Sequence, residues 1–100
     1  MRDTVTVAFD VDGCLRSAYG HGEATANEDV RQLMVLLWRM GCRIVLWSGS
    51  GELYARQVGR ECGVARFVRQ YASKTDTSIR PDITFDDEEM TRGRVNIRIP

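Results

Sequence analysis

The chain has 100 residues, enough for one domain with a hydrophobic core. Its 43% hydrophobic and 28% charged content is that of an ordinary soluble globule. Fourteen basic residues balance fourteen acidic ones with no basic block, so wholesale binding to nucleic acid or a membrane surface has no compositional support. That leaves only a basic patch assembled by folding.

Thr4 to Phe9, "TVTVAF", is β-branched, short and followed by turn chemistry, which predicts a buried strand. Residues 13–26 are a polar loop containing His21 between two glycines. Asn27 is an N-cap, and a helix follows to about Met40. Its apolar face is Val30, Leu33, Met34, Leu37 and Met40. Val35 and Leu36 fall on the far side, free to meet a second subunit or a neighbouring segment. Gly41 stops the helix. "RIVLW", residues 43–47, is a second buried strand. A second helix runs from about Glu52 to Cys62 and stops at Gly63. "ARFV", residues 65–68, reads as a third strand, and "DITF", residues 82–85, as a fourth. "RVNIRI", residues 94–99, reads as a fifth at an edge. Strand and helix alternate, so the expected fold is α/β with right-handed crossovers and a mainly parallel sheet in one domain.

Cys14, Cys42 and Cys62 make neither a CxxC pair nor a metal-ligand spacing, and an odd count argues against a disulfide framework. They read as packed thiols, and Trp38 and Trp47 as core. No signal peptide is expected at the start, and the longest apolar run, Leu33 to Trp38, is too short to span a bilayer. A cytoplasmic protein with no membrane partner is the expectation.

Polar groups gather just past four apolar segments: Asp10 and Asp12, Ser48, Lys74, and Asp86 with Asp87. In an open parallel sheet the carboxyl ends of the strands share one edge, so these positions converge. Two neighbouring carboxylates need a cation or a shared proton. Acids at two strand tips suit the hard oxygen ligation of Mg²⁺. Lys74 stands out because the other 13 basic residues are all Arg. A compact ammonium differs chemically from a planar guanidinium.

"FDVDGCL", "VLWSG", Lys74 and "ITFDDEE" together resemble the four motifs of the haloacid dehalogenase superfamily, over nearly the whole chain. The resemblance implies a Rossmann-like three-layer fold with strand order 5-4-1-2-3 and no cap domain. It implies an Mg²⁺-dependent phosphatase acting on a phosphorylated substrate through an aspartyl-phosphate. Asp10 would be the nucleophile and Asp12 the general acid, then base. Ser48 and the N–H groups near Gly49 would hold phosphoryl oxygens. Lys74 would offset charge, with Arg80 as the fallback. Mg²⁺ would lie on Asp10, the Asp12 carbonyl and Asp86, with Asp87 close by. Cys14 departs from the usual Thr or Val, and a thiol is similar in size. The missing cap suits a bulky phosphoester, such as a nucleic-acid 3′-phosphate or a phosphoprotein. A non-catalytic Mg²⁺-binding or protein-interaction domain is the alternative, opposed by the presence of both Asp10 and Asp12.

Plainer readings stand beside these. Asp10 and Asp12 read also as a solvated acidic turn, Asp86 to Glu89 as a helix start, Ser48 as an N-cap and Lys74 as a surface residue. His21 is assigned no role.

Overall fold

The computed structural model describes residues 4–16 and 26–100. His21 and most of the expected first loop lie outside the described residues. Five strands form one parallel sheet: β1 (Thr6–Asp10), β2 (Arg43–Ser48), β3 (Gln70–Ser73), β4 (Ile83–Asp86) and β5 (Val95–Arg98). The order is β3-β2-β1-β4-β5, which counts 5-4-1-2-3 from the opposite edge. Helices α1 (Glu28–Arg39) and α2 (Glu52–Glu61) connect β1 to β2 and β2 to β3.

Local chemistry sets the helix ends. Asn27 Oδ1 accepts from the backbone N–H groups of Asp29 and Val30 at 3.1 and 3.3 Å. Such a cap is worth about 1 kcal/mol. Both helices stop alike. Gly41 N–H donates to Trp38 O and Cys42 N–H to Leu37 O, while Gly63 N–H donates to Arg60 O and Val64 N–H to Gly59 O. The two glycines take φ of +89° and +70°, which a side chain would oppose.

Successive side chains point to opposite faces of the sheet and, with β1, β2 and β4 buried almost throughout, divide the core between the two faces. Val7, Phe9, Ile44, Leu46 and Phe85 face α1 and α2, meeting Val30, Met34, Ala55 and Val58. Phe9 and Phe85 stack across β1 and β4 with centroids 4.9 Å apart, worth about 0.5–1.5 kcal/mol beyond their burial. Ala8, Val45, Trp47 and Ala72 form the other face, which is covered by Ile79 and Met90 from loops. The three-layer expectation is therefore corrected: among the described residues one face carries helices and the other carries loops. The connections from β3 to β4 and from β4 to β5 are shorter than the dozen or so residues of a helical crossover.

Three further expectations are corrected. Residues 65–68 are not a strand: Ala65–Phe67 is one 3₁₀ turn, and β3 follows it. Phe67 and Val68 N–H groups bond back to Val64 and Ala65, turning the chain toward β2 before pairing starts at Arg69 N–H to Ile44 O. Met40 is 72% exposed because it caps α1 beyond the last buried turn. Trp38 is 38% exposed and packs edge-on against Phe67 at the sheet's rim, outside the core. β5 is the expected edge strand, and it is exposed throughout. No helix among the described residues is long and apolar enough to cross a membrane.

Candidate active site

Four parallel strands deliver their final residues to one edge. Asp10 ends β1, Ser48 ends β2 and Asp86 ends β4, while Lys74 directly follows β3. Asp10, Asp12, Ser48, Gly49, Lys74 and Asp87 border one open cleft of about 420 Å³. Asp86 lies just beneath, 1% exposed.

Lys74 links the acids. Its Nζ lies 2.6 Å from Asp10 Oδ1 and 2.7 Å from Asp86 Oδ2. Asp86 Oδ1 accepts from the Glu88 N–H at 3.0 Å, so both Asp86 oxygens are engaged. Carboxylate oxygens of Asp10, Asp86 and Asp87 lie within 4.8 Å of one another. Three acids around one ammonium leave an excess of negative charge. Burial pushes the Asp10 carboxyl up to about 7, against the lowering pull of Lys74 and with further upward pressure from Asp86 and Asp87. Burial draws the Lys74 ammonium down, but Asp10 and Asp86 outweigh it and its pKa is raised. A hard divalent cation fits this donor set, since it would supply the missing positive charge to oxygen ligands already gathered.

The segment after β1 turns sharply. Leu15 N–H reaches back to Asp10 O and Arg16 N–H to Val11 O. Gly13 makes the turn at φ +82°. Asp12 consequently leaves the acidic group: its Oδ1 accepts from the Tyr54 hydroxyl at 2.8 Å and lies 3.6 Å from Arg16 Nε. Burial, then the Asp12 contact, raises the Tyr54 phenol, which stays a donor. Cys14 lies beneath the turn. Burial pushes its thiol upward, and its Sγ donates to Phe85 O at 3.6 Å.

Ser48 is buried, and its Oγ accepts from the Ser50 N–H at 3.0 Å. It does not cap α2, whose N-cap is Gly51. Arg80 is exposed and does not border the cleft.

Tyr54, Arg16 and Arg92 were not singled out from the sequence. Tyr54 stands in the first turn of α2 and Arg16 four positions after Asp12, spacings that become informative only once the turn at Gly13 is known. Arg92 donates to the carbonyls of Lys74, Asp76 and Ile79, the last two at 2.9 and 3.0 Å. Its guanidinium lies over the Trp47 ring, 4.5 Å from the centroid. It thereby fixes the loop that carries Lys74. Comparison with family models, with curated proteins and with solved structures gave no match.

Proposed function

We propose that the chain is an Mg²⁺-dependent phosphomonoester hydrolase of the haloacid dehalogenase type, using Asp10 as its nucleophile. The observation that carries this reading is the Lys74 ammonium held between Asp10 and Asp86 at the carboxyl edge of a parallel sheet. Asp87 and the cleft lie beside them.

Asp10, Asp86 and Asp87 would hold Mg²⁺, together with the Asp12 carbonyl that the resemblance implies. When bound, Mg²⁺ supplies positive charge to the phosphoryl oxygens. An Asp10 oxygen attacks phosphorus, and the bond from phosphorus to the leaving oxygen breaks. Asp12 gives that oxygen a proton. Water then attacks the aspartyl-phosphate, returning a proton to Asp12 and freeing Asp10 and inorganic phosphate. Lys74 offsets charge on Asp10 and the phosphoryl group throughout. Ser48, Gly49 and the N-terminal end of α2 border the cleft where the phosphoryl oxygens bind. Asp12 reaches the leaving group by rotating away from Tyr54, and its side chain is 40% exposed on the cleft side. The open cleft favours a bulky phosphoester over a small one enclosed from water.

The test is a panel of phosphoesters assayed with Mg²⁺ and with chelator. Release of phosphate that needs Mg²⁺ and disappears in Asp10→Asn supports the reading, because an amide cannot form the acyl phosphate. Turnover that survives Asp10→Asn in clean protein refutes it. Mg²⁺ binding with no turnover of any ester would favour the non-catalytic alternative.

A further inference from the structure

At the opposite edge of the sheet from Asp10 lies a second cleft of about 370 Å³. It is formed where α1 ends, β2 begins and the 3₁₀ turn leads into β3. Arg43, Arg66 and Arg69 line it, Trp38 and Phe67 form its aromatic wall, and among the described residues no acidic side chain is in its lining. Formal charge over the whole chain is zero, so this cleft is a local excess of positive charge; Asp82, at the same end of the sheet, is engaged by the Thr6 N–H.

Arg31 pairs with Glu28, Arg56 with Glu52 and Arg16 with Asp12 and Glu61. Among the described residues Arg43, Arg66 and Arg69 have no carboxylate within salt-bridge distance and donate no side-chain hydrogen bond. Among the described residues Arg39, Arg60, Arg80 and Arg94 also lack a carboxylate partner, so what sets this cleft apart is that three such arginines line it together. The α1 C-terminus does not explain them, because Arg39 already supplies a cation to its last turn. Arg66 lies over both aromatic rings, 5.7 Å from the Trp38 centroid and 5.4 Å from that of Phe67.

Guanidinium groups beside a half-exposed indole fit a ligand that carries phosphates and flat rings together. The phosphates meet the arginines while a base stacks on the indole. Three cations spread around an open rim suit a backbone that runs past them better than one enclosed phosphate. We infer that this cleft binds single-stranded nucleic acid. Its distance from Asp10, the length of a whole strand, makes this binding separable from hydrolysis. A patch built by folding also reconciles it with a composition that gives no sign of nucleic-acid binding.

The experiment titrates the full chain into a fluorescently labelled single-stranded oligonucleotide without terminal phosphates, about 12 nucleotides long to exceed one site, and reads anisotropy. Three phosphate contacts give a slope of log K against log salt of about −2. Trp38→Leu should weaken binding on the order of ten-fold and Trp38→Phe much less, since the ring is what stacks. Arg43→Ser, Arg66→Ser and Arg69→Ser should each weaken it and flatten the salt slope. These three change exposed side chains, so they remain informative if Trp38→Leu does not fold. Asp10→Asn should bind like the wild type. Absence of binding at low salt, or equal binding by all the arginine variants, overturns the inference. So does equal competition by duplex, or self-association that the same arginine variants abolish, which would identify the occupant as the acidic end of a second copy.

Discussion

Gly13 and Asp87 leave each other no spare room: a Cβ at position 13 would lie 2.1 Å from Asp87 Oδ2. The turn that follows β1 and the loop that follows β4 are thus fitted together through a missing side chain. Gly13→Ala would add a left-handed backbone penalty of about 1–2 kcal/mol, because φ there is +82°. It would also displace Asp87 from the acidic group. The expected outcome is a melting temperature lowered by roughly 5–10 °C together with weaker Mg²⁺ binding, read by calorimetry. A variant with lowered melting but wild-type Mg²⁺ affinity would show that Asp87 takes no part in cation binding.

Asp12 and Tyr54 give a test of proton transfer. Asp12→Asn should slow turnover more for poor leaving groups than for activated aryl phosphates, which leave without a proton. Tyr54→Phe removes the 2.8 Å hydrogen bond that holds Asp12 toward α2. Its cost to stability should be about 1 kcal/mol, while its effect on turnover should also depend on the leaving group. Equal slowing across a leaving-group series in both variants would remove Asp12 from the protonation step.

The strand tips were legible because a buried strand ending on Asp10 or Asp86 breaks the apolar pattern abruptly, and parallel topology then gathers such breaks at one edge. The helix ends were legible because Asn27, Gly41 and Gly63 act through local geometry. What was missed depends on contacts between distant segments. Residues 65–68 look apolar enough for a strand, yet five residues after Gly63 must first turn back to the sheet. Trp38 has the composition of a core residue but sits where α1 runs past the sheet's rim. Arg92 serves backbone carbonyls 13 to 18 positions away, and no spacing in the chain announces such a contact.

The Asp10 carboxyl makes the metal-free protein sensitive to pH. Burial raises it from an ordinary value of 3.8 to about 7. Between those values the unfolded chain has lost a proton that the folded chain keeps, so stability falls as pH rises through this window. The slope is at most about 1.4 kcal/mol per pH unit for one proton. Asp10→Asn cannot titrate, so in chelator its stability should fall less steeply than that of the wild type from pH 4 to 7. Denaturant midpoints measured across this range check the difference. Parallel pH profiles for the two proteins would show that Asp10 titrates normally and that the acid excess is relieved elsewhere.

Lys74 decides whether the lone lysine is chemistry or chance. Its Nζ reaches two carboxylates on neighbouring strand tips at 2.6 and 2.7 Å, and it does so as a point charge on a flexible stem. A guanidinium in the same place is wider and planar, and the loop beneath it cannot retreat because Arg92 fixes the Lys74 carbonyl. Lys74→Arg keeps the charge, so the fold should survive with little change in melting temperature. Turnover should fall on the order of ten-fold or more, about 1.4 kcal/mol of transition-state stabilisation, since one cation no longer serves both Asp10 and the phosphoryl oxygens. Arg80, exposed and away from the cleft, should tolerate Ala without loss. Wild-type kinetics in Lys74→Arg, with a large loss in Arg80→Ala, would transfer the role to Arg80 and require the loop between β3 and β4 to move before catalysis.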